Sequence, residues 1–284
     1  MISREQLIER VRNTSSIPAA SAQALKLLND PDAEVGQVTK CFQYDPGMTA
    51  NIIKLANSSL FPSVVMVKSL PEAIIRIGFR KSLQLLIGMS FSRELGKPVS
   101  GYDLDAGRLL ESAVSGAVFA EVIARNLGIG QTELLFTSCM LRDVGKMVLG
   151  SMVEVDVDKI LAEVRERGVA FEEAERDILG IDHSEAGALL MESWNMPEEF
   201  IATVKYHHHP TEYQGSEAVA RMIKIVHIAD ILSVISGDNY GVDGLDYRLD
   251  NSVAEELGIN CELSDKIIYE QKIKFDELKK SGII

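Results

Sequence analysis

Apolar residues recur at three- and four-residue spacing along almost the whole chain, and long alternations of apolar and polar residues are missing. That period belongs to helices. It predicts short helices at about 2–13, 19–29, 33–43, 46–57, 70–78 and 80–95, with short connections that favour a compact bundle. A looser, polar stretch, GKPVSGYDLDAG (96–107), separates these from longer helices at about 107–126, 132–152, 156–167, 171–179, 183–193, 197–208 and 216–236. SGDNYGVDGLDY (236–247), rich in Gly and Asp, reads as a loop. Two closing helices follow near 250–257 and 263–280. In the last, Ile267, Ile268, Gln271, Phe275 and Leu278 fall on roughly one face, so it should pack back on the body. The expected fold is all-α, with an N-terminal helical bundle over 1–100 packed on a second helical subdomain over 101–284. No internal repeat or low-complexity segment is visible.

Local signals sharpen several boundaries. Asp45-Pro46 places an N-cap before a proline at the first helical position. Ser69 to Glu72, SLPE, reads as a capping box with a proline inside it. Gly78 should end or bend a helix. Asn57 follows a periodic apolar helix and is suited to a left-handed cap. Trp194, in ESWNMP, joins two helices and should be buried with the apolar face of 197–208.

Composition narrows the class. Of the 284 residues, 46% are hydrophobic and 25% charged, as in ordinary globular proteins. No apolar run approaches the ~18–20 residues of a membrane span. The start, MISREQLIER, is charged and helical, unlike a secretory signal. Cys41, Cys139 and Cys261 are scattered without CxxC spacing, which points to a reducing cytoplasm and three buried thiols.

The net charge of −13 is uneven. Residues 1–100 hold 12 Lys/Arg against 8 Asp/Glu, and the remainder holds 17 against 34. So acidic a chain lacks the field that phosphate contact needs. Arg76, Arg80 and Lys81, in RIGFRK, form the densest basic cluster. They are either a partner surface or a solvated helix face. The helices around YDPGM have helix-turn-helix spacing, yet the second carries mostly Ile, Leu, Ala and Asn rather than a basic reading face. Nucleic acid is therefore not the expected partner.

Several marks occur in order. They are Pro18 after an apolar residue, Asp45-Pro46, Leu55-Ala56-Asn57-Ser58, Ala73-Ile74 before Ile77-Gly78, then CMLRDVGK, GIDHSEAGALLMESWNMP, KYHHHP and HIADILS. Over about 10–235 the chain resembles the HDOD family, a bacterial domain related to the HD superfamily of metal phosphohydrolases. The resemblance implies an HD-like second half and a signalling or regulatory role, usually without demonstrated chemistry. In active HD proteins the metal is held by an early His, a His-Asp pair, a late Asp and sometimes middle histidines. Here the early His falls at Ser112, the pair is Arg142-Asp143, the late Asp is Asp230, and the middle histidines are His183 and His207 or His208. Lys146 matches a lysine that can contact phosphate in active relatives, or it is solvated at a helix turn.

A guanidinium has no lone pair to give and stays protonated, so Arg142 cannot be a ligand. Ser112 is a poor one. No cofactor is therefore expected, and the pocket reads as degenerate. Were an ion to bind, Asp143, His183, His207 and Asp230 would be its ligands. A helical HHH run would aim His207, His208 and His209 about 100° apart, which prevents joint chelation. One or both of His207 and His208 should face inward and His209 outward. Without a metal, Asp143 and Asp230 would be buried like charges. Arg142 is the natural internal replacement, within roughly 4 Å of a carboxylate, Asp230 first.

The expected function is a non-enzymatic signalling module acting through protein contacts, with input arriving through another protein. Residual metal-dependent phosphohydrolase or phosphodiesterase activity, or nucleotide or nucleic-acid binding without turnover, are the alternatives. Partner, signal and oligomeric state are not written in the sequence.

Overall fold

A computed structural model describes residues 5, 8, 9, 11, 19–28, 30, 32–43, 46–58, 60–129, 134–237, 241–244 and 247–280. Among them there is no strand beyond one isolated bridge between Val99 and Leu104. The predicted helix at 2–13, Pro18 and the Asp45 cap lie largely or wholly outside the described residues.

The first helices are α1 (Ala19–Leu28), α2 (Val35–Gln43), α3 (Pro46–Ala56), α4 (Leu70–Ile77), α5 (Phe79–Ser90) and the single turn α6 (Ser92–Leu95). α1 packs on α5, and α2 on α4. At α4, Ser69 accepts from the Glu72 N–H, while the Glu72 carboxylate accepts from the Lys68 N–H rather than from that of Ser69. Gly78 has φ +96° and separates α4 from α5, a conformation that favours glycine. Asn57 does not take up a left-handed cap. Its amide pairs with the backbone of Val67.

The second series is α7 (Arg108–Asn126), α8 (Leu135–Leu141), α9 (Lys146–Arg167), α10 (Phe171–Leu179), α11 (His183–Ser193), α12 (Glu198–Tyr206), α13 (Glu217–Ile235), α14 (Asn251–Glu256) and α15 (Cys261–Lys280). α7 is buried on nearly every side, between α8, α13 and α15. Its small residues, Ser112, Ala113, Ser115, Gly116, Ala117 and Ala120, let these neighbours approach. One apolar core continues from Val11 to Leu278. Trp194 is buried as expected, and it stacks on Phe91 at the end of α5, with ring centroids 4.9 Å apart. Phe200 and Val204 are also buried, and α15 docks through Ile267, Gln271, Phe275 and Leu278.

Three expectations are corrected. The break expected near 153–155 is absent, because α9 runs unbroken to Arg167. The chain turns instead at 142–145, so Arg142 and Asp143 stand on a turn between helices. The stretch 96–107 is not loose. It folds into a 3-10 turn at Ser100–Tyr102 packed on α9, where a Cβ on Gly101 would lie 2.0 Å from the Gly150 carbonyl. Cys41 and Cys139 are buried, whereas Cys261 is exposed at the start of α15.

Candidate metal centre

Two glycines bring the site together. A Cβ on Gly145 would lie 1.9 Å from the His183 carbonyl and 2.6 Å from the Gly187 N. Only glycine permits that approach, which places the 142–145 turn against the start of α11. Asp182 caps α11 by accepting from the Glu185 N–H at 2.8 Å, which sets His183 at its first position. α13 contributes His227 and Asp230, and α7 contributes Ser112 and Gly116.

Arg142 is fully buried. Its Nε donates to Asp230 Oδ1 at 2.7 Å and lies 3.2 Å from Asp143 Oδ2. Nη1 donates to the Cys139 carbonyl at 3.1 Å and Nη2 to Ser112 Oγ at 3.2 Å. The expected pair with Asp230 is thus present, with Asp143 and Ser112 completing the cradle. Burial alone would depress the Arg142 pKa, but Asp230 and Asp143 outweigh it and raise it. Beside it, burial pushes the Cys139 thiol up to about 12, so it stays protonated. The floor of the cradle is Gly116, where a Cβ would meet Nη1 at 2.5 Å and Cζ at 3.0 Å. Gly116→Ala should displace the guanidinium and destabilise the chain by about 1–3 kcal/mol, as overpacking does. Denaturant unfolding measures this, and an unchanged midpoint would rule out a rigid cradle.

The histidines converge on the other side of Asp143. α12 ends at Tyr206, because Pro210 bars helix beyond it and restricts His209 before it. His207, the residue after the helix, keeps helical dihedrals (φ −64°, ψ −24°), and the rings of His207 and His208 come within 3.9 Å, centroid to centroid. The expectation that neighbouring histidines diverge by 100° fails for this pair. His209 is partly exposed, with Nε2 3.5 Å from Glu172, whose carboxyl burial pushes up to about 7.

Each inward histidine aims Nε2 at the centre. His183 donates Nδ1–H to Glu175 at 2.6 Å, and His207 donates Nδ1–H to the Val204 carbonyl at 2.8 Å. The Nε2 atoms of His183 and His208 are 2.9 Å apart. Burial would lower His183, but the adjacent Glu175 carboxylate overrides it and raises the ring to about 9. A protonated His183 thus donates at both nitrogens, and His208 accepts. His208 is held well below its usual value by burial and its cationic neighbours, and burial lowers His207 to about 4. His207 Nε2 makes no hydrogen bond among the described residues and lies 4.0 Å from Asp143 Oδ1, an oxygen that the Lys146 ammonium already holds at 2.9 Å. One ligand atom from each of Asp143, His183, His207 and His208 falls within 4.8 Å of the others. Asp230, named from the sequence as the fourth ligand, faces Arg142 instead, and His208 takes its place in the cluster.

Lys146 is not solvated. It is buried, with Nζ 2.9 Å from Asp143 Oδ1 and 2.7 Å from Asp243 Oδ2, and close to the rings of Tyr102 and Tyr247. Burial favours the neutral forms, raising the pKa of Asp143 and lowering those of Lys146 and Arg142, but their mutual charges outweigh it and keep all three ionised. Tyr102 donates to Glu175, Tyr247 donates to Asp243, and Tyr247 also stacks on His208 at 4.3 Å. His227 accepts from the Asp250 N–H and donates to the His207 carbonyl, which fixes the strand of chain carrying the pair. Tyr102, Glu175, Asp243, Tyr247, Gly116 and His227 were not among the residues named from the sequence. The basic cluster does not assemble. Arg76 donates to the carbonyls of Ala56 and Val65, Lys81 pairs with Glu121 at 2.5 Å, and of the three Arg80 alone is exposed.

The model of the HDOD domain family matches residues 15–210. An uncharacterised protein of Treponema pallidum is 24% identical over 215 residues, which are 73% of this chain and 41% of that protein, so the chain spans less than half of its relative. A Marinobacter aquaeolei structure provisionally named a signal transduction protein superposes with TM-score 0.70 at 21% identity, covering 98% of this chain and 64% of that one. A Shewanella amazonensis structure provisionally named a metal-dependent phosphohydrolase gives 0.67 at 15% identity, over 97% and 96%. No helix among the described residues is long and apolar enough to cross a membrane.

Proposed function

The chain belongs to the HDOD domain family, and from that premise we propose that it is a regulatory module that acts through contacts with signalling proteins and turns over no substrate. The observation that carries this reading is Arg142. Its guanidinium lies between Asp230, Asp143 and Ser112, the positions that the family resemblance assigns to a metal. A permanent cation there excludes a divalent ion from that seat. Signal transduction, for which one relative is provisionally named, is the role proposed here.

One seat remains. The unbonded His207 Nε2, the Lys146-paired Asp143 Oδ1 and the Nε2 atoms of His183 and His208 lie close enough together to suit a single ion that favours imidazole. Asp143, His183, His207 and His208 would hold it. Glu175 and the Val204 carbonyl already orient two of those rings, as outer-shell partners do. When bound, such an ion supplies Lewis acidity and a more acidic water. The chain's own residues close the seat, since Tyr102, Lys146 and Asp243 are buried over it.

That same cluster favours a second reading, residual metal-dependent phosphohydrolase activity. Purified chain loaded with Mn²⁺ or Zn²⁺ separates the two. The expected result is no more than one ion per chain, with hydrolysis of cyclic dinucleotides and nucleoside phosphates no faster than in Asp143→Ala. Metal-dependent turnover that Asp143→Ala abolishes would establish the second reading in place of the first.

A further inference from the structure

Four large apolar side chains stand in water at one edge of the N-terminal helices. Val64, Val65 and Met66 are 104%, 66% and 70% exposed, and Ile75 on α4 is 72% exposed. The segment that carries the first three is pinned from beneath. Asn57 accepts from the Val67 N–H at 2.8 Å and donates to the Val67 carbonyl at 2.9 Å. Arg76, next to Ile75, donates Nη1 to Ala56 and Asn57 and Nη2 to the Val65 carbonyl. Ser63 Oγ accepts from the Val65 N–H at 3.2 Å. The backbone groups of Val65 and Val67 are thus satisfied by the protein's own side chains. Those of Val64 and Met66 make no hydrogen bond among the described residues. Val64 and Val65 lie in a bend, so these open groups stand exposed at a turn of the chain, where the backbone of a bound segment can pair with them.

The surrounding charge selects the occupant. Lys68 and Arg76 adjoin the patch residues and Arg80 follows five residues after Ile75 in the sequence, against the carboxylate of Glu72, which already accepts from the Lys68 N–H. Lys68 and Arg80 are exposed and make no ion pair among the described residues. A second copy docked two-fold on the same patch would set these cations against their own images. An anionic bilayer would meet a chain whose residues 101–284 hold 34 Asp/Glu against 17 Lys/Arg, and its acyl region offers no partner to the open backbone groups. An extended peptide with carboxylates beside apolar side chains satisfies the apolar surface, the open backbone and the cations together.

We infer that residues 63–68, with Ile75, are a docking site for an extended acidic and apolar segment of a partner protein. This rests on the regulatory reading above and gives that reading its contact. Arg76 acts as the support that holds Val65 in place, and Lys68 and Arg80 act as the charges that choose the partner.

The test is selection from a random peptide library on the full chain, run in parallel on Val64→Asp/Met66→Asp and on Lys68→Glu/Arg80→Glu. All four positions are exposed, so an unchanged melting temperature shows that both variants keep the fold. Enriched peptides should combine Asp or Glu with Val, Ile or Leu, and their affinity should fall about tenfold or more on each variant, which is about 1.4 kcal/mol. No enriched family, a Lys- and Arg-rich family, or binding that both variants retain would overturn the inference. Cosedimentation with phosphatidylcholine–phosphatidylserine vesicles and sedimentation equilibrium complete the test. Vesicle binding or dimerisation that Val64→Asp/Met66→Asp abolishes would assign the patch to a membrane or to a second copy, and would overturn it too. A failed selection leaves the turnover assays untouched, so the two readings fall separately.

Discussion

Arg142→Ala should destabilise the chain by about 3–5 kcal/mol, the range for removing one partner of a buried ion pair. The guanidinium is fully buried and is the charge closest to Asp230, at 2.7 Å. Without it Asp230 keeps a buried charge, and Asp143 loses one of its two cations and relies on Lys146. The Cys139 carbonyl and Ser112 Oγ also lose their donors. Most of the cost is the stranded carboxylate rather than the net worth of the pair. Arg142→Met/Asp230→Leu, which removes both charges and keeps apolar volume, should therefore recover most of the loss. Urea midpoints of wild type, single and double variants measure this. A single variant within 1 kcal/mol of wild type would show that Arg142 does not replace a metal's charge.

Stability of the metal-free chain should peak near pH 6.5 and decline on both sides. His183 is raised to about 9 in the folded state from an unfolded value of 6.5. Its contribution is complete below 6.5 and is lost as pH rises towards 9, at about 1.4 kcal/mol per unit. His207 is lowered to about 4 by burial. Its contribution is present above 6.5 and is lost as pH falls towards 4. His208, also lowered, steepens the acid side, whereas Glu172, raised to about 7 by burial, offsets part of it, because its contribution is present below 4.5 and is lost as pH rises towards 7. Glu175→Gln removes the charge that keeps His183 protonated, so the alkaline decline should flatten while the acid one persists. Unfolding in chelator across pH 4.5–9.5 tests it. Stability that still rises beyond pH 7, or an alkaline limb unchanged in Glu175→Gln, would contradict the assignment.

Much of the fold was legible because its signals are local. Ser69, Pro71 and Gly78 mark α4 by capping and φ preference alone, and the apolar period places α7, α11, α12 and α13 within a few residues. The turn at 142–145 was hidden because Leu141, Val144 and Val148 carry the helical period straight through it. The false break at 153–155 came from Glu154, Asp156 and Asp158, of which Glu154 and Asp158 are exposed and Asp156 half-buried on one continuous helix. Within the site, Asp143, His183 and Asp230 were readable through the family resemblance, and Arg142 through the chemistry of a guanidinium. The pairing of His207 with His208 was not, because it depends on where α12 stops. Tyr102 and Glu175 lie 73 residues apart, and Asp243 sits in a Gly-rich loop; nothing in their neighbours' sequence marks them for burial. Their roles exist only once α9, α10 and the two loops have packed together.

A crystal structure of the chain soaked in Zn²⁺, with anomalous scattering recorded at the zinc edge, tests the replacement of a metal by Arg142 most directly. The expected map has at most one peak in the pocket, held by Asp143, His183, His207 and His208, with the Arg142 guanidinium still on Asp230. Two peaks, or one peak on Asp230 with Arg142 turned away from it, would contradict that replacement.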